Sequence, residues 1–282
     1  MKRGFIVAFA AAFLVVMHPG AAAAESTPAV QKVLENTKAY LDDLVTAKDD
    51  NTSNDLSLKI ETFKQVLDLS AAETKDIEFK LLTTEKDDRF EEWKQTTLDE
   101  LARALAYYDS ERELLNGPTS VTAGDIAGIA KSFKGWRESE YLPLVTQVQD
   151  FILVKQEAKA VQTAEKRLEK INENLKSLGI SSGNKDVSKY LSKARSLIDS
   201  ASKLNNAAAD LFVSRYIATS TEEVATSTAT STATSSNDGT ETSSSIPLTS
   251  VKDLVRSSLD AVKGAYQSFI DVSGLVRKLL IR

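Results

Sequence analysis

The chain has no cysteine, one histidine, two methionines, five prolines and eleven glycines among 282 residues. Without cysteine there is no disulfide framework, thiol nucleophile, zinc–cysteine site or cysteine-linked lipid anchor. So few glycines and prolines, beside 27% charged residues, argue against an all-β sandwich with its many tight turns. Aromatic residues are also sparse, at 7%. An excess of positive charge is missing as well: 35 basic residues face 40 acidic ones, a net charge of −5. A nucleic-acid binder would carry the opposite balance. The length suits one or two domains.

One hydrophobic run exists, and it is short. Phe5 to Met17 is apolar throughout, preceded by Lys2 and Arg3 and followed by His18, Pro19 and Gly20. Thirteen residues are too few to span a bilayer, which takes about 20. Ala22, Ala23 and Ala24 then form a small-residue cleavage signal before Glu25, so residues 1–24 read as a secretory signal peptide. Its removal takes Lys2 and Arg3 and no carboxylate, so the charge falls from −5 to −7. It also takes the only histidine and both methionines.

The rest of the chain is punctuated as helices. Thr27 and Pro28 start the first. A polar run from Asp49 to Asp55 ends it, and a second helix is expected over 56–69. Ser70 and Glu73 have the spacing of a capping box opening a long helix to Leu115, with Leu98, Leu101, Leu105 and Tyr108 as its seam. Asn116, Gly117 and Pro118 stop it. Thr122 and Asp125 start another helix, interrupted or kinked between Phe133 and Pro143. The pattern then resumes through Val154, Ala158, Val161, Ala164, Leu168, Ile171, Leu175 and Leu178, and Gly179 with Ile180 predicts a Schellman stop. Residues 186–217 form the next helix, striped by Val187, Leu191, Ala194, Ile198, Ala201, Leu204, Ala208 and Leu211. From Thr219 to Ser245, 17 of 27 residues are Ser or Thr, too polar to offset chain entropy, and disorder is expected. Ser250 and Asp253 open a last helix striped by Val251, Leu254, Val255, Leu259, Val262, Tyr266, Phe269, Val272, Val276, Leu279 and Leu280.

The expected fold is therefore all-α: an elongated antiparallel helical bundle or coiled-coil-like set of six or seven helices. Its expected domains are the leader (1–24), a bundle (25–217), a disordered linker (218–248) and a C-terminal amphipathic helix (249–282).

Little in the sequence points to catalysis. Histidine-based acid–base chemistry and nucleophilic triads lack their residue once the leader is gone. No catalytic residue, metal site, cofactor or small-molecule substrate is implied. Asp125 to Ser132 ends in Lys131–Ser132 like a phosphate-binding loop but has Asp125 and Ala130 at the two glycine positions; Gly124 and Gly128 there would admit a neighbouring helix closely. The Asp49–Asp55 run resembles a calcium loop without its bidentate glutamate, since Ile60 stands at the twelfth position.

Two segments carry the interaction candidates. Phe133, Trp136, Arg137 and Tyr141, set between Gly135 and Pro143, read either as an aromatic recognition patch or as a plug filling the core at a kink. The last helix carries Lys252, Arg256, Lys263, Arg277, Lys278 and Arg282 against three aspartates. It suits docking either on the acidic bundle or on an anionic membrane.

The Phe133–Pro143 run resembles exported helical proteins of candidate-phylum (patescibacterial) bacteria. So do Arg167 to Ile171 with Leu178–Gly179 and a following helix, and the Thr/Ser/Ala linker before a C-terminal helix. The resemblance brings no activity, cofactor or site residue with it. Together these readings describe an exported, non-enzymatic protein of the periplasm, cell envelope or extracellular space, with a protein partner or self-association. The alternatives are a peripheral membrane binder using 249–282, and a carboxylate-based hydrolase of envelope glycans.

Overall fold

The computed structural model describes residues 28–49, 55–116, 122–180, 184–218 and 250–281. The leader, the calcium-like residues 50–54, the Ser/Thr-rich segment 219–245 and Arg282 lie outside them. Among the described residues the fold is all-α. The α-helices are α1 (Pro28–Asp49), α2 (Asp55–Leu82), α3 (Glu91–Asn116), α4 (Ala123–Trp136), α5 (Leu142–Ser177), α6 (Lys185–Phe212) and α7 (Val251–Leu280). Two π-helical segments, Arg137–Tyr141 and Val213–Ile217, follow α4 and α6 directly. The chain divides into two compact units, Met1–Val148 and Gln149–Arg282. The C-terminal helix belongs to the second.

The local stop and start signals act as the sequence implies. Thr122 and Asp125 exchange side-chain and backbone hydrogen bonds at the start of α4. Ser250 accepts from the Asp253 N–H at the start of α7, and Asn184 caps α6. Gly179 sits at φ 66°, where the absence of a Cβ matters. Ile180 N–H reaches the Leu175 carbonyl at 3.0 Å, and Gly179 N–H reaches that of Lys176 at 3.1 Å. Those two bonds are the Schellman closure.

Ser70 is different. It opens no helix, because α2 runs straight through it to Leu82. The Ser70 and Thr74 hydroxyls donate to the carbonyls of Val66 and Ser70, four residues back, within an unbroken helix. The long helix expected to Leu115 instead breaks at 83–90. There Thr83 and Thr84 turn their hydroxyls onto the carbonyls of Lys80 and Leu81, and buried Phe90 anchors the restart. The buried stripe of α3 is Trp93, Thr97, Leu101, Ala104, Tyr108, Glu111 and Leu115, so Leu98 and Leu105 flank the seam rather than form it.

The segment 133–143 does not leave the helix. Arg137–Tyr141 takes up one extra residue as a π turn, with Leu142 N–H bonded to the Arg137 carbonyl. That turn seats Pro143, whose nitrogen has no hydrogen to donate. In this unit α2 and α3 run antiparallel, since Thr74 lies opposite Tyr108 and Asp68 pairs with Arg112. Among the described residues, nothing outside its own helix lies within 4 Å of where a Gly128 Cβ would stand, so no close helix approach is seen there.

The second unit packs α5, α6 and α7 around one seam. Its layers combine Val161, Ala164 and Leu168 with Ala194, Ile198 and Ala201 and with Val262, Ala265 and Phe269. A further layer joins Leu175, Val187 and Val272. Ascending numbers on α5 and α7 meet descending numbers on α6, so α6 is antiparallel to both. Ala164, Ala194, Ala201 and Ala265 have no exposed surface, and such small side chains let helix backbones come close. The seam also holds residues that an apolar stripe omits. Glu157 is buried where Ala158 is exposed, and Asn205 and Phe212 are buried in place of Leu204 and Leu211. On α7, Ser258 and Ala265 are buried, whereas Leu259, Leu279 and Leu280 are exposed.

Candidate functional site

The four residues of the aromatic segment are brought together, but inward. Phe133 and Tyr141 are buried, Arg137 is only 5% exposed, and Trp136 is half-buried. The spacing 133–137–141, carried through the π turn, keeps Phe133, Arg137 and Tyr141 on the packed face. Rings from three helices surround them. Phe133 meets Phe63 edge-on at 5.6 Å, Trp136 lies 4.2 Å from Tyr107, and Tyr108 contacts Tyr141 at 6.1 Å. Such pairs prefer edge-to-face or offset geometry and add to simple burial.

Within this aromatic shell lies one charge pair. The Arg137 guanidinium donates to Glu73 Oε2 at 2.7 Å and to Ser70 Oγ at 3.3 Å, and its carbon lies 4.8 Å from the Tyr141 ring centre. Thr74 and Tyr141 share a hydroxyl–hydroxyl bond of 2.9 Å. Burial opposes the charge on Arg137, yet the Glu73 carboxylate more than compensates and holds its pKa above the ordinary value. Burial pushes the Tyr108 hydroxyl up to about 12 and raises Tyr141 well above its usual range. No buried side-chain nitrogen or oxygen of this cluster is without a hydrogen-bond partner, and these bonds tie α2 to the π turn. Sequence reasoning assigned Ser70 and Glu73 to a cap and missed them as Arg137 partners; the surviving signal was an S-x-x-E pattern inside a run with no helix breaker.

The second unit has its own buried polar groups, which the sequence reading passed over. Asp150 is 4% exposed and accepts a 3.1 Å bond from the Tyr216 hydroxyl; its other oxygen has no partner. Glu157 is equally buried and accepts from Ser258 Oγ at 2.8 Å, while the same hydroxyl lies 2.9 Å from the Ala201 carbonyl. Burial raises both carboxyl pKa values; the Tyr216 bond, Lys252 and Arg215 oppose the shift at Asp150, and the Ser258 bond and Lys263 oppose it at Glu157. Asn205 Oδ1 is likewise buried without a partner. Asp150 and Glu157 stand seven residues apart in the repeat that continues as Ala164 and Ile171, and that spacing could have revealed them.

The basic residues of α7 lie outward. Lys252, Arg256, Lys263, Arg277 and Lys278 are all exposed; Arg282 lies outside the described residues. Large apolar side chains share this surface: Ile270 is 62% exposed, Leu280 61% and Ile281 79%. Between α5 and α7 runs an open groove of about 410 Å³, floored by Ile171, Leu175, Val272 and Val276 and edged by Asn174 and Arg277. A second groove of about 300 Å³ lies between α5 and α6, with Leu168, Leu175, Val187 and Leu191 inside and Lys176 and Arg195 at its rim. These grooves can take an apolar chain or edge beside a cation.

Among the described residues no group of three or more His, Cys, Asp or Glu side chains is placed to hold a metal ion. No described helix is long and apolar enough to cross a membrane. No protein-family model, curated protein or solved structure matches the chain.

Proposed function

We propose that this chain is an exported, non-enzymatic protein of the cell envelope that works by association through its helix faces. The carrying observation is where its side chains are spent. Three buried ionisable groups are engaged inside the packing: Arg137 with Glu73, Asp150 through one oxygen with Tyr216, and Glu157 with Ser258. The outer faces instead offer large apolar side chains, with Phe79 61%, Ile270 62% and Ile281 79% exposed. Large apolar side chains exposed among charged ones suit a binding surface. Export is supported by Lys2, Arg3, the 5–17 apolar run and the Ala22–Ala24 signal.

The test is expression of the full chain in a bacterial host, with a photocrosslinking residue at Ile270 or Phe79. The expected result is a periplasmic or secreted chain beginning at Glu25 that forms adducts with envelope components at one or both positions. An uncleaved chain retained in the cytoplasm overturns export. A cleaved chain without adducts at either position overturns association.

A further inference from the structure

We propose that the outer face shared by α5 and α7 docks on an anionic lipid surface. The proposal rests on the reading of the chain as an exported association protein, and it names the partner.

Charge on α7 is sorted by face. Lys252, Arg256, Lys263 and Arg277 are separated by 4, 7 and 14 residues, all close to whole turns, so they line one face. Asp253, Asp260 and Asp271, separated by 7 and 11, line another. Asp260 of this second face pairs with Lys263 at 3.2 Å. The other flank of α7 is occupied by α6, where Gly264 meets Leu197.

The face extends onto α5. Arg277 edges the groove between α5 and α7, opposite Asn174 and Leu178. One and two turns before Asn174 stand Lys170 and Arg167, both exposed. Glu165, Glu169 and Glu173 point roughly 100–180° away round the helix from Asn174. The shared face is therefore cationic on a chain that is acidic as a whole.

Apolar spacing favours a lipid surface over a partner helix. The seam α7 already uses steps by 4 and 3 through Val251, Val255, Ser258, Val262, Ala265, Phe269 and Val272. A second helix would need another seam of that kind. The outer face instead carries Leu259, Ile270 and Ile281, each 11 residues from the next and 38%, 62% and 79% exposed. Eleven residues make close to three turns, so these side chains form a straight line of separated points among cations. That pattern suits shallow insertion between headgroups along a line about 33 Å long. Leu178 and Leu280, 49% and 61% exposed, extend the apolar end of the line.

The test is vesicle flotation of the chain as exported. Phosphatidylglycerol/phosphatidylethanolamine vesicles are compared with phosphatidylcholine vesicles. One variant carries Arg256→Glu, Lys263→Glu and Arg277→Glu. A control carries Lys189→Glu, Lys193→Glu and Lys203→Glu, the same charge change on exposed positions of α6. Far-UV circular dichroism confirms that both fold. Each cation near an anionic surface is worth about a factor of five in partitioning. The expected result is binding to the anionic vesicles that 0.5 M salt weakens, a loss of at least tenfold in the first variant, and less than twofold in the control. Absence of flotation, or equal losses in the two variants, overturns the proposal. So does a dimer in light scattering that the first variant alone dissolves, since that assigns the face to a second copy. Protein adducts at Ile270 without flotation would remove the lipid surface while leaving the association reading standing.

Discussion

The most deeply buried charged side chain of the first unit and the buried carboxyl groups of the second are held in different ways. The first encloses a cation with its counter-ion: Arg137 and Glu73 pair at 2.7 Å inside a shell of Phe63, Tyr107, Tyr108, Phe133, Trp136 and Tyr141. The second encloses carboxyl groups with only hydroxyl donors, Tyr216 for Asp150 and Ser258 for Glu157. It also buries five alanines completely, Ala164, Ala194, Ala201, Ala208 and Ala265, beside the rings of Phe151, Phe212 and Phe269. A paired charge keeps its charge and fixes a geometry. An unpaired carboxyl can shed its burial cost by taking a proton. The first unit is thus wired by directed bonds, and the second is tunable by pH.

The largest effect should come from breaking the pair. Arg137→Ala strands Glu73 and Ser70 and leaves a hole among the rings, a loss of about 3–5 kcal/mol. Both tryptophans, Trp93 and Trp136, lie in the first unit, so their fluorescence in a urea titration reads that unit alone. The midpoint should drop there while the helix signal of the second unit is retained. Combining Arg137→Met with Glu73→Gln should recover more than half of the loss. Failure of the double variant to recover would mean that the rings, not the charges, hold the π turn.

Next in size is Trp136→Ala. The indole lies within 6.4 Å of Tyr107, Tyr108, Phe133 and Tyr141, and its loss should cost about 3 kcal/mol, read from the fluorescence of Trp93. An unchanged midpoint would make the ring a surface group and reopen the segment as a recognition patch.

The difference between the units also has a pH signature. The folded pKa values of Asp150 and Glu157 are raised by burial. Below the ordinary carboxylate range both folded and unfolded chains hold these protons. As pH rises, the unfolded chain releases them first, so this stabilisation is complete at low pH and is lost as pH climbs through the folded values. The helix signal of the second unit should therefore melt at lower temperature at pH 7 than at pH 5. Glu157→Gln should raise the pH 7 value and leave the pH 4 value alone. A melting temperature of the second unit that rises from pH 5 to 7 would contradict this assignment. The first unit should instead lose stability above pH 10, as the unfolded tyrosines ionise before Tyr108 at about 12 and Tyr141 beyond its usual range.

Helix ends were legible because their hydrogen bonds are local. Thr122 with Asp125, Ser250 with Asp253, and Gly179 with Ile180 each settle a terminus within a few residues. Ser70 and Glu73 show the limit of such patterns. The same spacing serves a cap or the middle of a helix, and what decides here is Arg137, 67 residues from Ser70 and supplied by the tertiary fold. The break at 83–90 was missed because it contains neither glycine nor proline; threonine hydroxyls close that helix end instead. In the second unit, periodicity located the seam but not its polar members. A stripe counted from apolar letters chooses Ala158 over Glu157 and Leu204 over Asn205, although the helix turns the polar residue inward. The inward turn of Arg137 among the aromatics was open from sequence, since its burial depends on a counter-ion from another helix.

The smallest effect tests whether alanine-scale packing in the second unit is truly tight. A Cβ added at Gly264 would stand 3.1 Å from Leu197 Cδ1, whereas one at Gly274 on the same helix meets nothing within 4 Å. Glycine to alanine in a helix interior gains about 1 kcal/mol from backbone entropy alone. Gly274→Ala should show close to that gain in thermal melting. At Gly264 the Leu197 methyl must give way by a few tenths of an ångström, which cancels most of it, so the change should stay within about 0.5 kcal/mol of zero. The same substitution at Gly135 in the first unit, also free of contacts within 4 Å, should behave like Gly274. If all three gain equally, α6 and α7 are not held close by small residues, and the second unit would owe its register to the Glu157–Ser258–Ala201 bonds alone. If Gly264 stands apart, packing and polar bonds fix that register together, as rings and the Arg137 pair do in the first unit.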